Sequence, residues 1–430
     1  MNSFVKDISS VGISKILILI FGLLSGIITA RWLGPEGSGI IAALVVYPTL
    51  FMSFGALGIR QSVTHFMGKG AFLEKDIKTA ITQIWFFTTL FCIIVCFFLM
   101  RYFSSSGGNL QWVLLAILPI PFTLFNTYNS GIFLGKNQIG AFNKINWLPR
   151  MFVFLALVVF VVVFSFGISG ALVAAIAGPL LMFFILLFKN KFIQSFNLNF
   201  NWKIIKSLLS LGIIYALALL VINLNYRIDI ILLDRLSTPH YTGIYAKGNA
   251  IASLLWEVPM LLSAIVFARS ASAKDGLQYS RKVAQLLRLS VIFVGVGSIL
   301  LVLLAKQVIL LMYGEQFYQS TQVTQLLISG VLFLTVFKVL NMDLAGKGKP
   351  WVSMKAMIPA LILNVILNII LIPKLNANGS ALASTISYTF ATVLFLHFYS
   401  KEVQIPIKEI FRYSKKDFDP IMKFIRNKKD

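Results

Sequence analysis

The sequence is poor in charge, and the charge it has is one-sided. Only 12% of its 430 residues are Asp, Glu, Lys or Arg, where a soluble domain carries about a quarter. Acids number 15 against 38 Lys and Arg. Cysteine is nearly absent. Cys92 and Cys96 stand at i and i+4 of one apolar segment, which offers neither a disulfide framework nor a CxxC metal motif. His65, His240 and His397 are scattered along the chain and suggest no metal cluster. There is no phosphate-cradling glycine loop, no HExxH and no GxSxG, so the usual catalytic signatures are missing. Nor is a cleavable leader evident. The first apolar run, Val11 to Ala30, is long enough to span a bilayer and ends at Arg31 without a small-residue cleavage site.

What remains is apolar: 58% hydrophobic and 13% aromatic residues, with mean hydropathy +0.85. A bilayer core takes about 20 apolar residues per helix. Such runs recur at 10–31, 38–58, 78–100, 110–133, 146–166, 169–188, 207–235, 242–267, 286–306, 320–341, 352–373 and 378–400. The expectation is an all-α polytopic membrane protein of about twelve transmembrane helices. The formal charge of +23 could signal nucleic acid. Here, however, the basic residues punctuate gaps between spans, as the positive-inside rule requires, and nucleic acid is not expected as a partner. The N-terminus (Lys6, Lys15) and alternate gaps hold most of them: Arg60, Lys69 and Lys75; Lys136, Lys144 and Arg150; Lys189, Lys203 and Lys206; Arg281, Lys282 and Arg288; and Lys338, Lys347 and Lys349. Both termini are therefore expected in the cytoplasm. Loops on the other side are short, which argues against a sugar-processing membrane enzyme or an assembly scaffold.

Internal repetition divides the chain. Pro35, Gly39, Ile40 and Ala42 after the first span recur at one constant spacing as Pro239, Gly243, Ile244 and Ala246 after the seventh. Gly135-Lys136 matches Gly346-Lys347, and Gly170-Ala171-Leu172 matches Gly379-Ser380-Ala381-Leu382 nearby. Each match falls at equivalent places in a six-helix set, so two pseudo-symmetric six-helix lobes are expected as parallel repeats. The boundaries read as 1–188 for the first lobe, 189–206 for a cytoplasmic linker, 207–400 for the second lobe and 401–430 for a basic tail. The tail is either an interfacial helix on anionic lipid or a solvated end.

Ionisable groups inside spans are costly and usually face a bundle interior or water. The seventh span concentrates them. Asn223, Arg227 and Asp234 share one face by helical spacing, with Asn225 and Asp229 on a neighbouring face and Tyr226 between. Arg227 could line a central cavity and meet an anionic group, or form a structural Arg–Asp pair. Asp229 could be that pair's carboxylate or an ion-coupling group. In the eighth span Tyr245, Asn249, Ser253 and Glu257 form a polar stripe beside Trp256. Glu257 could carry a coupling proton or pair with a cation. Lys247 could face substrate or snorkel to the outer interface, and the same choice holds for Arg31 and Arg60. Asp343 reads as an interfacial cap. Gly22 and Gly26 permit close helix contact.

The segment Ala30-Arg31-Trp32-Leu33-Gly34-Pro35-Glu36-Gly37-Ser38-Gly39 resembles the opening signature of bacterial polysaccharide flippases, the Wzx-like branch of the MOP superfamily. Asn225 to Leu233, Gly243-Ile244-Tyr245 and Tyr313-Gly314-Glu315-Gln316-Phe317 resemble later parts of the same family. The likeness runs over about residues 5–400. It implies a MATE-like fold with a V-shaped central cavity. It also implies a transporter rather than an enzyme, flipping undecaprenyl-pyrophosphate-linked oligosaccharide units from the cytoplasmic to the outer leaflet of the inner membrane by alternating access. Arg227, Lys247, Asn223, Asn225, Tyr226 and Arg31 would then meet substrate, and Asp229 or Glu257 would couple H+ or Na+, with no resident cofactor. Membrane lipids, a polysaccharide polymerase and chain-length machinery would be partners. The alternative on the same fold is a cation-coupled drug or metabolite antiporter, which calls for a cavity rich in acids.

Overall fold

A computed structural model describes residues 3–136, 138–196, 199–257, 259–260, 266–267, 269–270, 275–414 and 417. Among them there are helices and turns but no strand. That follows from the solvent. In hydrocarbon every backbone N–H and C=O must be paired within the segment, which helices accomplish alone.

In chain order the helices are α1 (Ser3–Gly55), α2 (Ile59–Gly68), α3 (Glu74–Phe103), α4 (Leu110–Ile117), α5 (Pro119–Gly135), α6 (Ile139–Asn146) and α7 (Leu148–Leu157). They continue as α8 (Gly167–Lys189), α9 (Trp202–Leu236), α10 (Pro239–Ser253), α11 (Gly276–Tyr313), α12 (Ser320–Gly346), α13 (Trp351–Val403) and the short α14 (Ile407–Ile410). Among the described residues, nine helical segments are long and apolar enough to cross a bilayer. Two of the helices, α1 and α13, have 53 residues each and contain a backbone break, at Gly34 and Asn376. Each therefore holds two of the expected spans. The two breaks raise the nine segments to eleven spans among the described residues, and the expected eighth span, which α10 begins, falls partly outside them.

The Gly34 break explains part of the opening motif. Its backbone (φ 64°, ψ −174°) lies in a region reserved for glycine. Pro35 follows, and a proline bars the residue before it from helical geometry. Leu-Gly-Pro therefore ends one span and starts the next within a single residue. The connection between the fifth and sixth expected spans is also short, falling at residues 164–166. A π-helical turn (Val158–Val163) closes α7, Ser165 and Gly167 take positive φ, and α8 begins at once.

Packing divides the chain into two compact units. The first comprises Met1–Asn223, Ile230–Ala246 and Met312–Gln316; the second comprises Leu224–Asp229, Lys247–Leu311 and Phe317–Asp430. In the first, Ile81, Phe125, Tyr128, Met182 and Leu208 belong to one buried cluster. Cys92 and Cys96 are buried free thiols there. Glu74, in the acidic first turn of α3 where it favours the helix dipole, bridges Lys78 and Lys136 at 2.6 Å each.

In the second unit Asp343 corrects the expectation of an interfacial cap. It is fully buried. Its carboxylate accepts from Ser270 Oγ and Ser280 Oγ at 2.6 Å each, Tyr399 Oη at 2.8 Å and Lys347 Nζ at 3.0 Å. A carboxylate so supplied with donors can leave the interface, because each lost water is replaced. Part of the C-terminal tail is also fixed. Arg288 grips Asp417 through Nε and Nη2 at 2.9 and 2.6 Å and donates to the Ile410 carbonyl at 2.8 Å. Residues 415, 416 and 418–430, about half of the expected tail at 401–430, lie outside the described residues.

Candidate functional site

Among the described residues, a buried polar constellation inside the spans belongs to the second unit. Asn225 and Asp229 occupy one face of α9, one turn apart, and both are fully buried. Asp229 Oδ1 accepts from Asn368 Nδ2 at 2.9 Å, and Oδ2 accepts from Ser384 Oγ at 2.7 Å. Asn368 is itself held by Ser380 Oγ, which donates to its Oδ1 at 2.8 Å, and its amide also donates to Asn364 Oδ1 at 2.7 Å. Asn364 reaches the Asn225 carbonyl at 3.3 Å. All four partners come from α13: Asn364 and Asn368 precede its break at Asn376, and Ser380 and Ser384 follow it. The i, i+4 spacing of each pair stacks them on one helix face, so two limbs of one helix converge on a single carboxylate. The arrangement concentrates oxygen ligands of the kind that suit hard cations.

Beside it lies a cation on aromatic rings. Lys338 Nζ sits 3.8 Å from the Trp256 ring centroid and 5.0 Å from that of Tyr226. Tyr226, Trp256 and Tyr388 enclose one another at centroid distances of 5.5 to 6.1 Å. Such cation–π contacts are worth about 0.5–2 kcal/mol each. Glu257 lies within electrostatic reach of the same ammonium. By its sequence, Lys338 is expected with a gap between spans. It lies instead among buried residues of α12, a correction that spacing alone could not supply.

The other expected residues distribute as follows. Arg227 and Lys247 belong to the second unit with Asn225, Tyr226, Asp229 and Glu257. Arg227 is exposed, whereas Lys247 is buried at 9% exposure, so an ammonium reaching freely to the interface does not describe it. Asn223 and Arg31 belong to the first unit, where Arg31 Nε donates to the Met312 carbonyl at 3.1 Å. Asp234, further along α9, is also in the first unit. It is buried, and accepts from Ser104 Oγ at 2.8 Å, from the Ser105 N–H at 3.0 Å and from Ser105 Oγ.

In the first unit the repeated motif meets its own copy. A Cβ built on Gly39 would overlap the Pro239 carbonyl oxygen, and one built on Gly243 would overlap the Pro35 carbonyl oxygen. The contact is reciprocal between matched residues, as a local two-fold relation requires.

The sequence profile of a family described as polysaccharide biosynthesis protein matches residues 4–270. The chain belongs to that family. This member is 24% identical over 422 residues to the capsular polysaccharide biosynthesis protein CapF of Staphylococcus aureus, covering 92% of this chain and 99% of that one. Its fold is similar to that of the lipid II flippase MurJ, with TM-score 0.77 at 16% identity over 98% of this chain and 92% of the other. It is also similar to an inward-facing multidrug resistance MATE family transporter of the MOP superfamily, with TM-score 0.75 at 14% identity over 91% and 96%. The MATE-like fold and the Wzx-like family expected from Ala30 to Gly39 are both borne out.

Proposed function

We propose that this family member is a flippase that carries oligosaccharide repeat units linked to undecaprenyl pyrophosphate from the cytoplasmic to the outer leaflet, for surface polysaccharide assembly. Membership of a polysaccharide biosynthesis family and a fold similar to that of a lipid II flippase support the reading. The observation that carries it is Lys338 held against Trp256 and Tyr226 within spanning helices. Placing an ammonium in a membrane span is costly, and a diphosphate head group crossing the bilayer needs such a cation. Arg227 (next to Tyr226), Lys247 and Asn225 are further proposed substrate contacts of the second unit; Asn223 and Arg31 are proposed contacts belonging to the first unit. Aromatic rings beside the cations suit the apolar faces of sugar rings.

On this reading Asp229 is the coupling group. Its carboxylate, with the Asn364, Asn368, Ser380 and Ser384 oxygens nearby, would exchange hydrogen bonds for a proton or Na+ during the cycle. Glu257, near Lys338, is the second candidate. The chain acts as a transporter and not as an enzyme. Its two chain-order lobes rock to give alternating access, and both termini lie in the cytoplasm of a cell whose inner membrane it spans. A polymerase and chain-length machinery then receive the exported units.

The test is a deletion strain complemented with wild type or with Arg227→Ala. The reading expects lost surface glycan and lipid-linked units retained on the cytoplasmic side in the deletion. Wild type restores export, and a normally inserted Arg227→Ala does not. Unchanged glycan in the deletion strain together with altered drug susceptibility would favour the antiporter instead.

A further inference from the structure

A cavity of about 700 Å³ opens in the first unit, away from the residues discussed so far. Its walls come from the first turns of α3 and from the segment leading into α9. The side chains that matter are Lys75, Asp76, Gln83, Asn199, Phe200 and Trp202. Gln83 is nearly buried, and its amide donates to the Asn199 carbonyl at 3.0 Å, which ties the two walls together. At the rim, Trp202 is 72% exposed and stacks on Phe200 with centroids 6.2 Å apart and planes 21° apart. Phe200 in turn meets Phe87 at 6.3 Å, and Phe87 and its neighbour Phe86 are exposed on α3.

The chemistry of this lining is selective. One ammonium and one carboxylate leave the charged pair near neutral, so the cavity is unsuited to a polyanion. Side-chain amides and a carboxylate are planar donors and acceptors that match pairs of vicinal hydroxyls. An exposed indole offers a flat face to the C–H side of a pyranose, with a polar edge for a hydroxyl. A concave site of this size, lined mainly by polar side chains with the Phe200 and Trp202 rings among them, falls within the volume range of small-ligand pockets. An aromatic anchor for the membrane interface would explain Trp202 and Phe200, but it would not need a polar hollow beneath them.

We propose that this cavity is a saccharide-binding site of the first unit. It rests on the function proposed above only for the identity of the ligand's carrier. There the cavity holds the sugar end of the lipid-linked substrate before transport, with the polyprenyl chain alongside the exposed Phe86 and Phe87 face. The charge bias that puts Lys75, Lys203 and Lys206 inside puts the site on the loading side.

The experiment uses the full chain in nanodiscs, titrated with free hexoses, N-acetylhexosamines, 6-deoxyhexoses and uronic acids while tryptophan emission is read. The proposal expects at least one sugar class to bind. Trp202→Ala and Gln83→Ala should each weaken that binding about tenfold or more. Trp202 is exposed, so its truncation spares the fold, and Gln83→Ala gives a second, independent reading from the buried wall. Binding of no sugar would overturn the proposal, as would sugar binding indifferent to both substitutions. Protection of Trp202 by phosphatidylethanolamine vesicles alone would overturn it in favour of a lipid head-group site. A parallel flipping assay on wild type separates the two readings. Trp202-dependent sugar binding without flipping removes the proposed function and leaves the site; flipping without sugar binding does the reverse.

Discussion

Gly39 and Gly243 each occupy the space that the other's motif leaves free. The hydrogen side of Gly39 faces the Pro239 carbonyl, and that of Gly243 faces the Pro35 carbonyl. The atoms in the way are backbone, which cannot swing aside. Gly39→Ala and Gly243→Ala are each expected to cost about 1–3 kcal/mol, as overpacking does. The double variant should depart from additivity because the two sites share partners. Gly12→Ala, where a Cβ would meet nothing within 4 Å, is the clash-free control and should cost nothing, gaining at most the helix-propensity difference of about 1 kcal/mol. Thermal unfolding of the purified proteins checks all four.

Asp229 is tied to both limbs of α13 by Asn368 and Ser384. Ser384→Ala removes one donor from a buried carboxylate, and such a loss costs about 1–3 kcal/mol. Asp229→Asn keeps the shape and removes the charge. It should insert at wild-type levels while transport in vesicles stops responding to an imposed Na+ or pH gradient. A response equal to that of wild type would assign coupling elsewhere, with Glu257 next in line.

Lys338 and the rings of Trp256 and Tyr226 form a unit. Lys338→Ala is expected to weaken binding of undecaprenyl diphosphate by about tenfold, the scale of one good charged contact. Lys338→Arg, which keeps the charge and can still stack on the indole, should recover most of it. Native mass spectrometry of retained lipid reads the difference.

The Arg288–Asp417 pair makes a pH prediction. Burial works to raise the Asp417 carboxyl, but bonds from Arg288 and from the Ser414 N–H outweigh it and hold the group below its ordinary 3.8. The folded carboxyl therefore releases its proton more readily than the unfolded one. Its contribution is full above the ordinary value and is lost as pH falls through the lowered one. The Tm gap between wild type and Asp417→Asn should accordingly be present at pH 7 and narrow below about pH 4.

The span pattern was legible because a bilayer demands long apolar helices, and the one-residue break at Gly34 was legible in a Gly-Pro pair. Gly170 and Gly379, matched in the repeat, both prove to be close approaches, their built Cβ atoms meeting the Phe160 and Leu371 carbonyls. Tertiary pairings were not legible. Helical spacing put Asp234 beside Arg227, yet its partners Ser104 and Ser105 lie in a loop far earlier in the chain. Asn364, Asn368, Ser380 and Ser384 carried an i, i+4 signal, but neutral amides and hydroxyls draw no notice when only ionisable residues are weighed. Lys338 was misplaced because a lysine near a span's end is normally interfacial; only the rings around it show otherwise.

The most direct test of the central claim is leaflet exchange in proteoliposomes that hold an undecaprenyl-diphosphate-linked oligosaccharide, followed by its accessibility to an external pyrophosphatase. The purified chain should render the inner pool accessible over time, and Lys338→Ala and Arg227→Ala should slow this about tenfold or more. An inner pool that stays protected at every protein-to-lipid ratio, from correctly folded protein under an imposed Na+ or pH gradient, would contradict it.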